Sequence, residues 1–276
     1  MNIPSQVKVA RAATKLLRDE LAALTPAEWE TPNACGVLSV SETVAHLARG
    51  AERYTQWTRR ALEGIADPPD DAVFYTDRAT ASAGIRDGSL AFHRSLGHRV
   101  LERFERSGLG LIELFESLQP DDWQRPTFHP VAVIPIEKLL AWRMAELSLH
   151  RWDILHRLGR EAHLPDGSHE PIVDWLPIWF KIAIAVREPL DKPLRYRIVL
   201  SPPLSREMQI TIHGERHEVD SAEISGADAI LTTDAEAFIL LMMGRLKWEL
   251  AIEAGAVVVS GNKQAAAELP RWFGAL

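Results

Sequence analysis

The hydrophobic pattern changes character once along the chain. Up to about Leu190, apolar residues recur at spacings of three and four, the period of helices with one buried face. From Leu194 the apolar runs are short and strand-like. Val9, Ala12, Ala13, Leu16, Leu17 and Leu21 predict a first helix from Ser5 to Leu24. Ser39-Val40-Ser41-Glu42 has capping-box spacing and predicts a second helix, reaching Leu62. Gly64 to Gly88 reads as a long polar connection bearing prolines and aspartates, a length typical of functional covers or linkers. Further helices are expected over Leu90–Leu118, Ile136–Leu158 and Glu170–Arg187. Strands follow at Leu194–Leu200, Glu207–His213, Arg216–Val219 and Ala229–Thr232, then a helix, Asp234–Met243. A last strand, Ala256–Ser260, precedes a final helix from Asn262.

Leu24-Thr25-Pro26-Ala27-Glu28-Trp29 is echoed by Leu118-Gln119-Pro120-Asp121-Asp122-Trp123. Each follows one long helix and precedes another. Two helical hairpins packed as a four-helix bundle explain the echo, and so do two similar turns arising by chance. The expected fold class is mixed, α plus α/β in two domains. An N-terminal up-down four-helix bundle precedes a C-terminal α+β domain with an antiparallel sheet. The bundle is assigned residues 1–165, a connecting helix and linker 166–192, and the α+β domain 193–276. Pro189 and Pro193 break the connecting helix.

Composition narrows the function. The 276 residues carry a net charge of −7, with 46% hydrophobic and 25% charged, which excludes a disordered chain. The acidic balance argues against a nucleic-acid partner. Cys35 is the single cysteine, so an intramolecular disulfide is excluded and a cytoplasmic setting is expected. The N-terminus lacks the pattern of a signal peptide. The run Ala237–Met243 is too short to span a bilayer, so no membrane partner is expected.

The chemistry concentrates on two helices. Glu146 and His150 stand at i and i+4 and project from one face of the Ile136–Leu158 helix. Leu139, Trp142, Met144 and Leu147 surround them, and polar groups aimed at a core are costly unless paired or metal-bound. A Glu–His hydrogen bond on a helix face meets that need as well as a metal does. His46 lies on an apolar stripe of the second helix, where a satisfied core histidine is the plain reading. Aligning the echo brings His46 to the height of Glu146. Two histidines and a glutamate from facing helices would then form a three-ligand site with open positions, the arrangement of a catalytic divalent metal. Asp153 is placed to orient a histidine, or to pair with Arg157 on the surface.

Cys35 to Leu47 (CGVLSVSETVAHL), with Ala145 to Asp153 (AELSLHRWD), resembles the mycothiol-dependent maleylpyruvate isomerase family. That family belongs to the DinB-like metal-dependent four-helix bundles. The resemblance implies a divalent metal, zinc above all and nickel as the alternative, held by His46, Glu146 and His150. The stretches Ala229–Arg245 and Gly255–Asn262 resemble the family's sterol-carrier-protein-like domain. The resemblance further implies an arginine of the tail domain that holds the acidic substrate, and Arg245 is the residue chosen for that catalytic role. Family members carry Cys-Pro-Gly-Trp before the second helix; this chain has Cys35-Gly36-Val37-Leu38.

The expected function is a metal-dependent enzyme using a low-molecular-weight thiol of the mycothiol type. It would carry out S-transfer or cis–trans isomerisation of a small electrophilic, acidic substrate. Its partners would be that substrate and the thiol, with the chain a monomer or homodimer. The alternative is a non-catalytic, lipid-like ligand-binding protein with a structural metal, using the apolar segment Phe238–Met243; a metal-free interaction protein is the third reading. His93, His98, His129, His156 and His163 show no partner spacing, and Tyr75 and Arg78 lie in a connection able to close over the metal.

Overall fold

The computed structural model describes residues 1–34, 38–183, 189–214, 217–220 and 226–273. The chain divides into two compact units, Met1–Trp175 and Leu176–Leu276.

The first unit contains helices α1 (Ile3–Ala22), α2 (Pro26–Trp29), α3 (Val40–Leu62), α4 (Arg78–Leu96), α5 (Val100–Ser117) and α6 (Ile136–Arg157). A short antiparallel pair, β1 (Pro126–Thr127) and β2 (Ile134–Pro135), links α5 to α6. Helix α7 (His169–Ala183) crosses the division between the units. Helices α1 and α3 each pack on both α5 and α6, which makes the four a bundle with α1 and α3 at opposite corners. Leu17, Leu21, Val44, Leu47, Phe104, Leu147 and Ile154 fill its core. The start of α3 is fixed by a reciprocal cap. Ser39 Oγ accepts from the Glu42 N–H at 3.3 Å, and the Glu42 carboxylate accepts from the Ser39 N–H at 2.7 Å. The echoed turns both form: Pro26–Trp29 behind Thr25, and a 3-10 turn over Pro120–Gln124.

The expected helix over Leu90–Leu118 is two helices. Gly97, with φ of 54°, ends α4, and a 3-10 turn over Gly97–Arg99 leads into α5. Much of the expected polar connection is helical. Asp77 Oδ1 accepts from the Thr80 N–H at 2.9 Å, so α4 starts at Arg78 and lies against α3. Two glycines within α4, Gly84 and Gly88, weaken its sequence signal by about 1 kcal/mol each relative to alanine.

The second unit holds a five-stranded sheet in the order β5-β4-β3-β6-β7. Its strands are β3 (Leu194–Leu200), β4 (Arg206–Ile212), β5 (His217–Asp220), β6 (Ala229–Thr233) and β7 (Val257–Gly261). Helices α8 (Ala235–Met242) and α9 (Trp248–Glu253) precede β7, and α10 (Lys263–Trp272) follows it. Tyr196, Ile198 and Leu200 alternate into the core of this unit with Ile210 and Ile212 from β4. The expected antiparallel sheet is mixed. β3–β4, β4–β5 and β6–β7 are antiparallel, but β6 returns from the β5 edge to lie parallel to β3. Hairpins give antiparallel neighbours, whereas a crossover places two strands in the same direction. Cys35, Arg216 and the end of the expected Glu170–Arg187 helix lie outside the described residues. Among the described residues no helix is long and apolar enough to cross a membrane.

Candidate metal centre

Helix α6 carries Trp142, Glu146, His150 and Asp153 along one face, at spacings of four, four and three. Helix α3 contributes His46 two turns into its length, and α4 contributes Ser89. His46 Nε2 lies 2.6 Å from Glu146 Oε2, and His150 Nε2 lies 3.7 Å from the same oxygen. The two imidazoles meet edge to face, with centroids 5.1 Å apart. One ligand atom from each of His46, Glu146 and His150 falls within 4.8 Å of the other two. The three side chains retain 12–20% exposure, so none is fully sealed from solvent.

The hydrogen bonds behind the imidazoles fix which nitrogen faces the site. Ser89 Oγ donates to the Ile85 carbonyl at 2.7 Å, which uses its one proton. It therefore accepts from His46 Nδ1–H, 3.2 Å away. Asp153, whose side chain is 1% exposed, accepts from His150 Nδ1–H at 3.1 Å. Both histidines consequently present Nε2 toward Glu146, with a lone pair available to a cation when neutral. Trp142 Nε1–H donates to Glu146 Oε1 at 3.3 Å, leaving Oε2 between the imidazoles.

The electrostatics favour an ionised glutamate. Burial pushes the Glu146 carboxyl up, but His46, hydrogen-bonded to it, outweighs that together with His150 and Arg143. The carboxyl is held well below the usual carboxylate range. Arg143 is 1% exposed and donates from Nη1 to the Leu47 carbonyl at 2.9 Å. Burial lowers its guanidinium to about 10, still cationic at neutral pH.

Two imidazoles and a carboxylate suit zinc, nickel and similar divalent ions. Separations of 2.6 and 3.7 Å straddle the roughly 3.3 Å ligand–ligand edge of a tetrahedron with bonds of about 2 Å. The donor set therefore fits such an ion. Replacing Asp153 with asparagine removes the charge behind His150 while keeping the side chain's size. Zinc affinity, measured by competition with a chromogenic chelator, is expected to fall about 10-fold or more. Unchanged affinity would show that Asp153 does not support the ligand.

Arg245 belongs to the second unit, where Nη1 donates to the Met243 carbonyl at 2.8 Å. Trp152 stacks on His156 at 4.4 Å. Two contributors escaped the sequence reading. Ser89 lies between the connection expected over Gly64–Gly88 and the helix expected from Leu90, and no spacing ties it to His46. His129 packs against Trp142, with ring centroids 3.7 Å apart and planes tilted by 38°, and so backs the residue that holds Glu146. Its part depends on the short β1–β2 connection, which periodicity does not reveal.

A family model described as "Mycothiol maleylpyruvate isomerase N-terminal domain" matches residues 10–155. A crystal structure of the mycothiol-dependent maleylpyruvate isomerase shares the fold with a TM-score of 0.59 at 16% identity, covering 94% of this chain and 93% of that one. A histidine-to-alanine mutant of that enzyme matches at the same score, identity and coverage. Sterol Carrier Protein-2 like-3 from Aedes aegypti covers 37% of this chain and 92% of its own, at 21% identity, with a loose TM-score of 0.29. No curated protein sequence matches. The model spans more than half of the chain and includes all three candidate ligands. The chain belongs to the mycothiol maleylpyruvate isomerase N-terminal domain family.

Proposed function

We propose that this protein is a divalent-metal-dependent enzyme that uses a low-molecular-weight thiol for S-transfer or cis–trans isomerisation of a small electrophile. The observation that carries this reading is the convergence of His46 Nε2, His150 Nε2 and an ionised Glu146 on one small volume, with each Nδ1 tied back. His46, Glu146 and His150 would hold the ion, most suitably zinc. A bound ion with an open position lowers the pKa of a thiol from about 8.5 and supplies a thiolate near neutral pH.

The protein's own groups do the rest. Ser89 and Asp153 keep the two imidazoles oriented. Trp142 holds one carboxylate oxygen and leaves the other to the site. A thiolate at this place can add to an activated double bond, which permits rotation before expulsion, or displace a leaving group. Family membership supports a thiol of the mycothiol class. Arg245 is assigned the task of holding an acidic substrate, with the small-molecule substrate and the thiol as partners.

Titration of mycothiol into zinc-loaded protein tests the reading. Buffer-dependent heats at pH 7 should report about one proton released per thiol, because the free thiol is mostly protonated there. Binding without proton release, or equal binding by zinc-free protein, would overturn thiolate formation at this site.

A further inference from the structure

Arg49 stands one helical turn beyond His46, at i+3 on α3, and is half-buried. Among the described residues nothing hydrogen-bonds to its guanidinium. Arg53 lies one turn further on and pairs with Asp71 at 3.1 Å, although the Asp71 side chain is 65% exposed. Burial, then the neighbouring charge of Arg53, lowers the Arg49 guanidinium; Tyr75 and Asp71 oppose this more weakly. Helix α4 makes room for the group. A Cβ on Gly88 would stand 2.5 Å from both Cζ and Nη2 of Arg49. One turn earlier, a Cβ on Gly84 would stand 3.4 Å from the Tyr75 hydroxyl. Tyr75 also feels the Glu146 carboxylate, which places it in the electrostatic neighbourhood of the candidate metal centre. Two crowded cations in a partly desolvated setting, one with its planar fork of donors unused, call for an anion of matching shape.

We infer that Arg49, with Tyr75 set against the adjacent turn of α4, is a carboxylate-reading subsite for the electrophilic substrate. This rests on the enzymatic reading above, keeps the acidic substrate assigned there to Arg245, and adds a second group, on α3 of the first unit, for one of its carboxylates. A carboxylate bound one helical turn from His46 leaves the adjoining carbons of a short chain within reach of a thiolate at the three-ligand site. The thiol is the other source of a carboxylate, and the test separates the two.

Calorimetric titrations use zinc-loaded protein, with zinc content measured on the same samples. Succinate stands in for an acidic electrophile and succinamide is its neutral control. N-acetylcysteine and N-acetylcysteamine are a pair of thiols differing by one carboxylate. The variants are Arg49→Gln, Arg49→Lys and Gly88→Ala. The last favours the helix and displaces only the flexible end of Arg49, so it remains informative if an Arg49 variant folds poorly. Succinate should bind about 10- to 100-fold more weakly to Arg49→Gln and to Gly88→Ala. Arg49→Lys should recover part of the loss, and succinamide should be indifferent to all three.

Absence of succinate binding to the parent, or equal affinity in zinc-loaded Arg49→Gln, overturns the subsite. Loss confined to the discrimination between the two thiols assigns the carboxylate to the thiol and overturns its assignment to the electrophile. If the parent holds no zinc yet still shows the Arg49-dependent difference, the metal reading fails while the carboxylate subsite stands.

Discussion

Protein prepared with ample zinc should carry about one ion per chain, and His46→Ala, Glu146→Gln and His150→Ala should each leave no more than roughly a tenth of it after dialysis. The expectation follows from the ligand count. His46, Glu146 and His150 offer one donor each, and the removal of any one leaves two. Two donors on flexible side chains hold a divalent ion far less tightly than three that are pre-oriented. Glu146→Gln is the most informative variant. It keeps the size of the side chain and an oxygen for Trp142 Nε1–H, but it removes the negative charge that His46, His150 and Arg143 stabilise. Elemental analysis gives the content, and circular dichroism shows whether each variant retains its helices. Zinc kept by the folded variants would refute the three-ligand assignment. A parent that takes up no zinc would leave His46 and Glu146 as a hydrogen-bonded pair within a bundle and move the weight to ligand binding by the second unit.

How much of this was legible beforehand depends on the range of the interaction. Glu146 and His150 are related by one helical turn, so their shared face follows from sequence spacing. His46 could be placed beside them only through the echo of the two proline turns and the family resemblance. Ser89 and Arg49 could not be placed at all. Their roles depend on α4 lying against α3, and the sequence of the first half of α4, up to Gly88, argues locally for a loop. Gly84 and Gly88 weaken a helix, yet they give the Tyr75 ring and the Arg49 guanidinium their space. The strand pattern of the second unit was readable from its apolar alternation. The parallel pairing of β3 with β6 was not, because chain direction across a crossover is a property of the whole sheet.

Acid should destabilise the first unit through His129, well above the range in which carboxylates titrate. The ring is 4% exposed, packs at a tilt against Trp142 with centroids 3.7 Å apart and meets Trp57 edge to face at 5.7 Å. Its Nδ1 accepts the Val131 N–H at 3.3 Å, so the neutral ring carries its proton on Nε2. Burial pushes the imidazole down to about 3, against a weaker upward pull from Glu146. In the unfolded chain the same group titrates near 6.5. Between those values the unfolded chain binds a proton that the folded one refuses, so stability is complete above about pH 6.5 and is lost as the pH falls toward 3. The loss from this group is about 2 kcal/mol at pH 5 and about 3 kcal/mol at pH 4. Glu146, held below its ordinary value, loses its own contribution only as the pH falls through the ordinary carboxylate range and beyond, so it stays intact from pH 7 to 5, and comparison with a variant at His129 isolates that ring. His129→Asn keeps an acceptor for the Val131 N–H and has nothing to titrate. Urea unfolding followed by tryptophan fluorescence, with chelator present to remove metal linkage, should show the parent losing about 2 kcal/mol more than the variant between pH 7 and 5. Equal losses would mean that His129 accepts its proton inside the fold. The consequence for function would then reverse: a neutral ring behind Trp142 leaves the three-ligand site free of an added cation, whereas a protonated one would compete electrostatically with the metal for the Glu146 carboxylate.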